Sequence, residues 1–381
     1  MRRINDADML ASDHGAFALQ QVAHQPATGS GMVNDRPPTT PTKTTTRQPT
    51  TYTLTKISLE HFDHEYCHAQ CAYQFSPYRE ALVLTMDGLG DDGVFSRAYV
   101  GKAGRLLPIA YSASAYRISS NGPHGRFSNP CSLGGIFTYF TCLLGFKPNC
   151  DEGKVEALAA FGRCLPTLHD ALIKATKINS STHAIDLDEE QLSRIFAACD
   201  VLTPNDTMRA DIAATAQLFA EEILISYIKH LLALTGTRAV CLSGGVFANV
   251  LVNMRVAALV ENRLYVAPAM GDEGSAQGAA VAMMIETAGE TGDSAWLRDH
   301  TMPYFGLAYQ RSQVIAALDR CSDQLDFCDV GECLSREVAR RIFDGQIGAL
   351  FQGRSEFGPR ALGNRSILAN PMKSESNEVV A

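Results

Sequence analysis

No uninterrupted apolar run in the 381 residues reaches the length of a transmembrane helix, so no membrane span is expected. The N-terminus lacks the apolar core of a secretory signal. Its basic opening, Met1-Arg2-Arg3, runs at once into acidic residues, which argues against a transit peptide. Positive charge is in deficit. Lys and Arg number 33 against 41 Asp and Glu, giving a net charge of -8 and a pI of about 5.7. That balance excludes a bulk nucleic-acid surface. Tryptophan is nearly missing, with Trp296 alone. Cysteine is present, at 11 residues, but an ordered spacing is not. The number is odd, several (Cys142, Cys241) sit inside apolar runs, and Cys67/Cys71 and Cys328/Cys333 lack the spacing of a closed zinc site. These features exclude a disulfide framework and lead us to expect buried thiols in a reducing, cytoplasmic compartment.

What is present is a chain that is 46 % apolar, enough for one large or two moderate domains. Residues 1–51 differ from the rest. The run Pro37-Pro38-Thr39-Thr40-Pro41-Thr42-Lys43-Thr44-Thr45-Thr46 has little to bury, and the segment is expected to be a disordered Pro/Thr-rich tail. Weak alternation from Tyr52 to Leu59 reads as a strand.

The chain is organised around residues 238–280. Two apolar runs, Arg238-Ala239-Val240-Cys241-Leu242 and Leu264-Tyr265-Val266-Ala267, read as buried strands. Each enters a turn: Ser243-Gly244-Gly245-Val246-Phe247-Ala248-Asn249, then Gly271-Asp272-Glu273-Gly274-Ser275. Each turn leads into a helical pattern. Strand, turn, helix, repeated, is how parallel α/β sheets are built, with ligands at the carboxyl ends of the strands. The glycines permit close approach of a nucleotide, but two tight turns without a ligand fit the same spacing. A long stripe of apolar residues at 208–233 (Ile212, Ala216, Phe219, Ile223, Ile225, Ile228, Leu232) predicts a core-packing helix feeding this unit.

Earlier in the chain, His64-Glu65-Tyr66-Cys67-His68 lies in a helical pattern that Ser76-Pro77 ends. Histidines four apart share a helix face. Three readings stay open: two half-exposed helix histidines, a metal pair, or the His-Glu-x-x-His pattern of zinc peptidases. The last needs a third ligand on a continuing helix, and a strand follows instead. Ala81-Leu82-Val83-Leu84-Thr85-Met86 is that strand. It runs into Asp87-Gly88, a turn able to offer backbone N–H groups to phosphate and a carboxylate to hydrated Mg²⁺, or else a plain hairpin turn. Lys154, at a predicted helix start, meets either phosphate or solvent. Near the C-terminus, the stretch Gln352–Ser366 packs three arginines (Arg354, Arg360, Arg365), three glycines and a proline behind a predicted strand at 347–351. So dense a set reads as a binding segment for carboxylate, phosphate or carbamoyl groups.

Four stretches in this order carry a resemblance: Phe62–Ala69 leading to Thr85–Gly88, Glu152–Gly162, Leu242–Asn253 with Gly271–Ala280, and Gly353–Pro371. Across residues 52–371 the chain resembles the O-carbamoyltransferases of the nodulation-factor and antibiotic-tailoring type. The resemblance implies an α/β fold with sugar kinase–actin-like (ribonuclease-H-like) lobes over 52–330, followed from 331 by the start of a YrdC-like carbamoyl-activating domain. It implies ATP and carbamoyl phosphate as substrates, carbamoyladenylate as intermediate, and a hydroxyl of a sugar or natural product as acceptor. His64, His68 and Asp272 would hold Fe²⁺ or Zn²⁺, with Asp272 serving the chemistry. Asp87, Gly88, Gly244 and Gly245 would line the nucleotide, with Asn249 near the adenosine. Arg354, Arg360 and Arg365 would open the activating domain. Three departures stand out. Glu65 replaces a second histidine and, beside the metal, would change the metal preference or serve as a base. Glu156-Ala157 replaces an apolar–Gly pair. The first phosphate loop and most of the activating domain have no counterpart, so the chain reads as truncated at both ends. It would then act with a complementing protein, as a homodimer, or as a nucleotide- and metal-binding remnant.

Overall fold

The computed structural model describes residues 7–12, 15–20, 60–114, 132–202, 204–288, 295–324, 326–328 and 331–372. Strands β1 (Ala7–Ser12) and β2 (Gly15–Gln20) pair antiparallel, within a segment that the sequence reading left in the tail. The Pro/Thr run and the strand read at 52–59 lie outside the described residues.

Helix α1 (His64–Gln74) begins where Asp63 accepts the N–H of Tyr66 and ends at Phe75, ahead of Pro77. Three strands follow as a meander: β3 (Glu80–Met86), β4 (Val94–Lys102) and β5 (Arg105–Ala113). Helices α2 (Leu133–Leu143), α3 (Glu152–Ala159) and α4 (Pro166–Lys174) come next. A small hairpin, β6 (Thr176–Ile178) with β7 (Ile185–Leu187), precedes α5 (Glu189–Asp200). The stripe at 208–233 is α6 (Asp206–Thr235), capped by Asn205 and ended by Gly236 in the left-handed conformation. Ile212, Ala216, Phe219, Ile223 and Ile228 of that stripe are buried, as expected, while Ile225 and Leu232 are only partly so.

The central unit then appears as read: β8 (Val240–Ser243), the glycine turn, α7 (Val250–Leu259), β9 (Leu264–Val266), the Gly-Asp turn and α8 (Ser275–Ala288). Strands β8 and β9 run parallel to β3, giving the order β5-β4-β3-β8-β9. An antiparallel three-strand meander extended by two parallel strands is the ribonuclease-H-like arrangement. Side chains alternate along β3. Leu82, Leu84 and Met86 enter the core made with α2 and α6, while Ala81 and Val83 face α1. The fold is therefore a layer of helices on each face of one sheet. On the α1 side, α8 packs closely against α1. Gly278 makes that possible, because a Cβ there would lie 1.9 Å from the Cys67 carbonyl oxygen.

The last part contains α9 (Arg311–Asp319), β10 (Phe327–Cys328), α10 (Leu334–Phe343), β11 (Gly348–Gln352) and β12 (Arg365–Leu368). The strands join β1 and β2 in a second sheet, β10-β1-β2-β11-β12. The ten described cysteines all carry free thiols. No described helix is long and apolar enough to cross a membrane.

Candidate metal centre

Three elements converge at the carboxyl ends of β3 and β8. Helix α1 supplies His64 and His68, one turn apart on one face, with ring centroids 4.7 Å apart. The end of β3 supplies Asp87. The turn after β9 supplies Asp272. His68 Nε2 lies 3.2 Å from Asp87 Oδ2 and 3.7 Å from Asp272 Oδ1. His64 Nε2 lies 3.6 Å from each of the same two oxygens. All four ligand atoms fall within 4.8 Å of one another. Two donors each about 2.1 Å from a shared ion at a tetrahedral angle stand about 3.4 Å apart, so the spacing suits a single ion. The buried His64 Nε2 and Asp87 Oδ2 make no hydrogen bond of ordinary geometry, leaving both free to ligate.

The second nitrogen of His68 is already committed: Nδ1 lies 3.1 Å from Ser243 Oγ, the last residue of β8. That bond orients the ring so that Nε2 faces the two carboxylates. Ser275 Oγ stands 3.4 Å from Nε2 on the α8 side. His68 is fully buried, and Asp272 is 80 % exposed, so the cluster has a closed wall and an open mouth. Burial works against charge on His68, but Asp272 and Asp87 outweigh it and raise its pKa to about 9. The adjacent Asp87 carboxylate likewise raises His64. Asp87 is opposed by burial but held far below the carboxylate range by the two imidazoles and the Gly88 N–H. A mutually stabilised set of imidazoles and carboxylates is what a borderline divalent ion replaces protons in.

The sequence-picked residues divide into those the cluster contains and those it does not. His64, His68 and Asp272 come together, and Asp87, expected against the nucleotide, joins them. Gly88 donates its N–H to Asp87 Oδ1 at 2.6 Å. Gly244 takes φ +101°, and a Cβ there would lie 2.1 Å from the Met86 carbonyl oxygen, so the turn needs glycine to lie against the end of β3. Gly245 abuts Asp87 Oδ1. Glu65 is fully buried beside His64, and neither carboxylate oxygen makes a hydrogen bond of ordinary geometry. Burial pushes its pKa up to about 7. A peptidase base must reach solvent water, and a carboxylate so enclosed does not.

Other picks belong to local networks. Lys154 pairs with Asp151 at 3.3 Å on the surface. Asn249 caps α7, accepting the Val252 N–H, and exchanges hydrogen bonds with Gln217. Arg365 donates to the carbonyls of Gln352 and Asn364 and lies 3.6 Å over the Phe351 ring, so it staples its own loop. Arg360 donates to the Ala248 carbonyl and pairs with Glu156. Arg354 is exposed. The reading missed Ser243 as the partner of His68; its place one residue before the glycine pair was the only signal.

Two histidines and two carboxylates thus meet at the strand ends of a ribonuclease-H-like sheet in an α/β protein, a donor set that could hold a divalent ion. Residues 39–281 match the carbamoyltransferase N-terminal family model and residues 339–381 the carbamoyltransferase C-terminal model, and the chain belongs to the carbamoyltransferase family. It is 36 % identical over 325 residues to an uncharacterized protein of Methanocaldococcus jannaschii, covering 84 % of this chain and 52 % of that one. It is 30 % identical over 329 residues to the nodulation protein NolNO of Sinorhizobium fredii, covering 83 % and 44 %. NolO of Bradyrhizobium diazoefficiens is 28 % identical over 323 residues, covering 83 % and 54 %. The chain thus spans about half the length of these relatives. Among solved structures it is similar to full-length HypF in a phosphate- and nucleotide-bound form, with a TM-score of 0.43 and 15 % identity over 61 % of this chain and 44 % of that one.

Proposed function

We propose that the chain carries the metal- and nucleotide-holding part of an ATP-dependent O-carbamoyltransferase. The reaction in this reading takes the carbamoyl group of carbamoyl phosphate, through carbamoyladenylate, to a hydroxyl of a sugar or other natural product. The observation that carries it is the four-residue cluster beside the 244–245 glycine turn, in a chain of this family. His64, His68, Asp87 and Asp272 would hold one ion, and two imidazoles with two carboxylates suit Fe²⁺ or Zn²⁺. Such an ion supplies Lewis acidity toward phosphate or carbamoyl oxygens. Ser243 fixes the orientation of His68, and Asp272, at the open mouth, meets the incoming ligand. The turns at Gly88 and at 244–245 would line a nucleotide beside the cluster, with Asn249 on the adenosine side and Lys154, of the separate Glu152–Gly162 stretch, toward its phosphates. ATP would arrive with its own Mg²⁺. The free thiols fit a cytoplasmic compartment.

The test is to load the protein with Fe²⁺ or Zn²⁺, titrate it with ATP, then add carbamoyl phosphate and assay for carbamoyladenylate. The expected result is ATP binding that requires the ion, and adenylate formation once a complementing activating domain is supplied. A chain that binds neither ion nor ATP contradicts the reading. ATP binding without product would reduce it to a nucleotide- and metal-binding protein without turnover.

A further inference from the structure

The arginine segment does not stand apart from the site; it holds the backbone of the turns that form it. Glu156 of α3 is 7 % exposed. Its Oε1 accepts the N–H of Leu251 at 3.0 Å, in the first turn of α7, and its Oε2 lies 3.6 Å from Arg360 Nη2. Arg360 Nη2 also donates to the carbonyl of Ala248, inside the 244–249 turn. Asn249, Gln217, Glu221 and Arg255 close the other side: Gln217 Nε2 reaches Glu221 Oε1 at 2.8 Å, and Arg255 Nε lies 2.6 Å from Glu221 Oε2. Two residues away from Arg360, Gly358 lies so close to the Pro268 carbonyl, upstream of the Asp272 turn, that a Cβ would stand 2.2 Å from it. The loop bearing both is itself gathered by one oxygen of Glu356, which accepts the N–H groups of Leu362, Asn364 and Arg365. One ordered loop therefore touches the glycine turn and the approach to the aspartate turn.

We propose that Glu156 and Arg360 are positioning residues that lock the 244–249 turn and the start of α7 to the 353–366 loop, so that nucleotide affinity depends on a pair that touches no ligand. This rests on the nucleotide reading above. Both recorded contacts of Arg360, to Glu156 and to the Ala248 carbonyl, are made by Nη2, which holds the side chain against the turn. The buried Glu156 carboxylate in turn needs Arg360, since an unpaired buried charge is costly. Both side chains act on the turn's backbone rather than on the four metal-binding candidates.

The test uses the full chain and the variants E156Q, R360Q, R360K and E156Q/R360Q. Glu156→Gln keeps an acceptor for the Leu251 N–H and removes only the charge, so the variant is expected to fold. ATP affinity is read by calorimetry with the ion present, and amide hydrogen exchange is followed at 248–252 and 353–366. Each single Gln variant is expected to weaken ATP binding about tenfold, with the double variant no weaker than either, the mark of a coupled pair. R360K should recover part of the loss, because an ammonium reaches one acceptor where a guanidinium reaches two. Exchange should rise in both segments whichever partner is changed, with ion stoichiometry unchanged. ATP affinities within twofold of wild type, or effects that multiply, would overturn the proposal. If the wild-type chain does not bind ATP, the nucleotide reading fails on its own, and the proposal for nucleotide affinity falls with it. The exchange data then report separately on the lock: linked exchange keeps the mechanical coupling, and exchange confined to the mutated segment removes that as well.

Discussion

Strand β3 and strand β11 occupy comparable places in their sheets and have opposite surroundings. From Ala81 to Met86 every residue of β3 is buried, because α2 and α6 cover one face and α1 the other. Along β11, Ala349 and Phe351 are exposed and only Gly348 is buried. Helix α10 has an apolar stripe at Leu334, Val338 and Ile342, the spacing of one helix face. Between that stripe and Leu350 and Leu368 of the sheet lies an open groove of about 640 Å³, with Phe343 and Met372 at its rim. Both regions follow the same rule, an amphipathic helix against a sheet. In the first the core is closed, and in the second it is half made. The metal-binding candidates sit at the edge of the closed one, where neighbours enclose His68 and hold Asp87 while Asp272 faces solvent.

Substitutions that treat the two cores alike break or sharpen this contrast. The largest effect is expected from Phe140→Ala, which empties a fully buried site beside Tyr139 and Phe196. Denaturant unfolding should show a loss of about 3–5 kcal/mol. Phe343→Ser, at a residue 77 % exposed on the groove rim, should change stability by less than about 0.5 kcal/mol. Equal losses would mean that the groove is filled in solution.

Next in size are changes at the cluster, which test whether the closed core is what makes a site. Ser243→Ala removes the partner of His68 Nδ1 and should weaken ion binding by about 10–100-fold in chelator competition, with the fold intact. The same site predicts a pH dependence with a definite sign. His68 has a raised pKa of about 9 without an ion, so protons compete for it, and apparent ion affinity should climb from pH 6.5 to about 9. For the ion-free chain the linkage runs the other way. The stabilisation from charged His68 is complete below its ordinary value of 6.5 and is lost as pH rises through about 9. An ion affinity flat across that window would contradict the geometry.

The smallest effect belongs to the second region. Burial works against the Glu356 carboxylate, but the backbone N–H groups it accepts outweigh that and bring it down to about 2. Glu356→Ala should cost amide protection at Leu362, Asn364 and Arg365 and leave the global unfolding midpoint nearly unchanged. In the unaltered protein the protection is complete above the ordinary 4.5 and is lost as pH falls through about 2.

The same contrast explains what could be read without coordinates. The closed core announced itself: the apolar runs of β3, β8 and β9 end in Gly and Asp turns, α6 repeats its apolar residues at helical spacing, and His64 and His68 share a face by being four apart. What local pattern does not carry is the pairing of distant segments. Asp87 was assigned to the nucleotide because a strand-end carboxylate looks the same in either role. Only the register of β3 against β8, with Thr85 opposite Ser243, puts Asp87, Ser243 and α1 in one place. Asp272 entered through family resemblance, since nothing in its own turn points to His68. The arginines were read as ligand-binding because of their density. Arg365 and Arg360 hold backbone carbonyls, contacts that density alone does not foretell, and Glu156, the partner of Arg360, stands out in the sequence only as a departure. The β1–β2 hairpin was missed because its partners, β10 and β11, lie at the far end of the chain.

The most direct measurement is X-ray absorption of the protein loaded with one equivalent of Zn²⁺, wild type against His68→Ala. The account predicts two imidazole nitrogens with oxygen ligands in the wild type, and one imidazole or no bound ion in the variant. Sulfur ligands, or a spectrum that His68→Ala leaves unchanged, would contradict it.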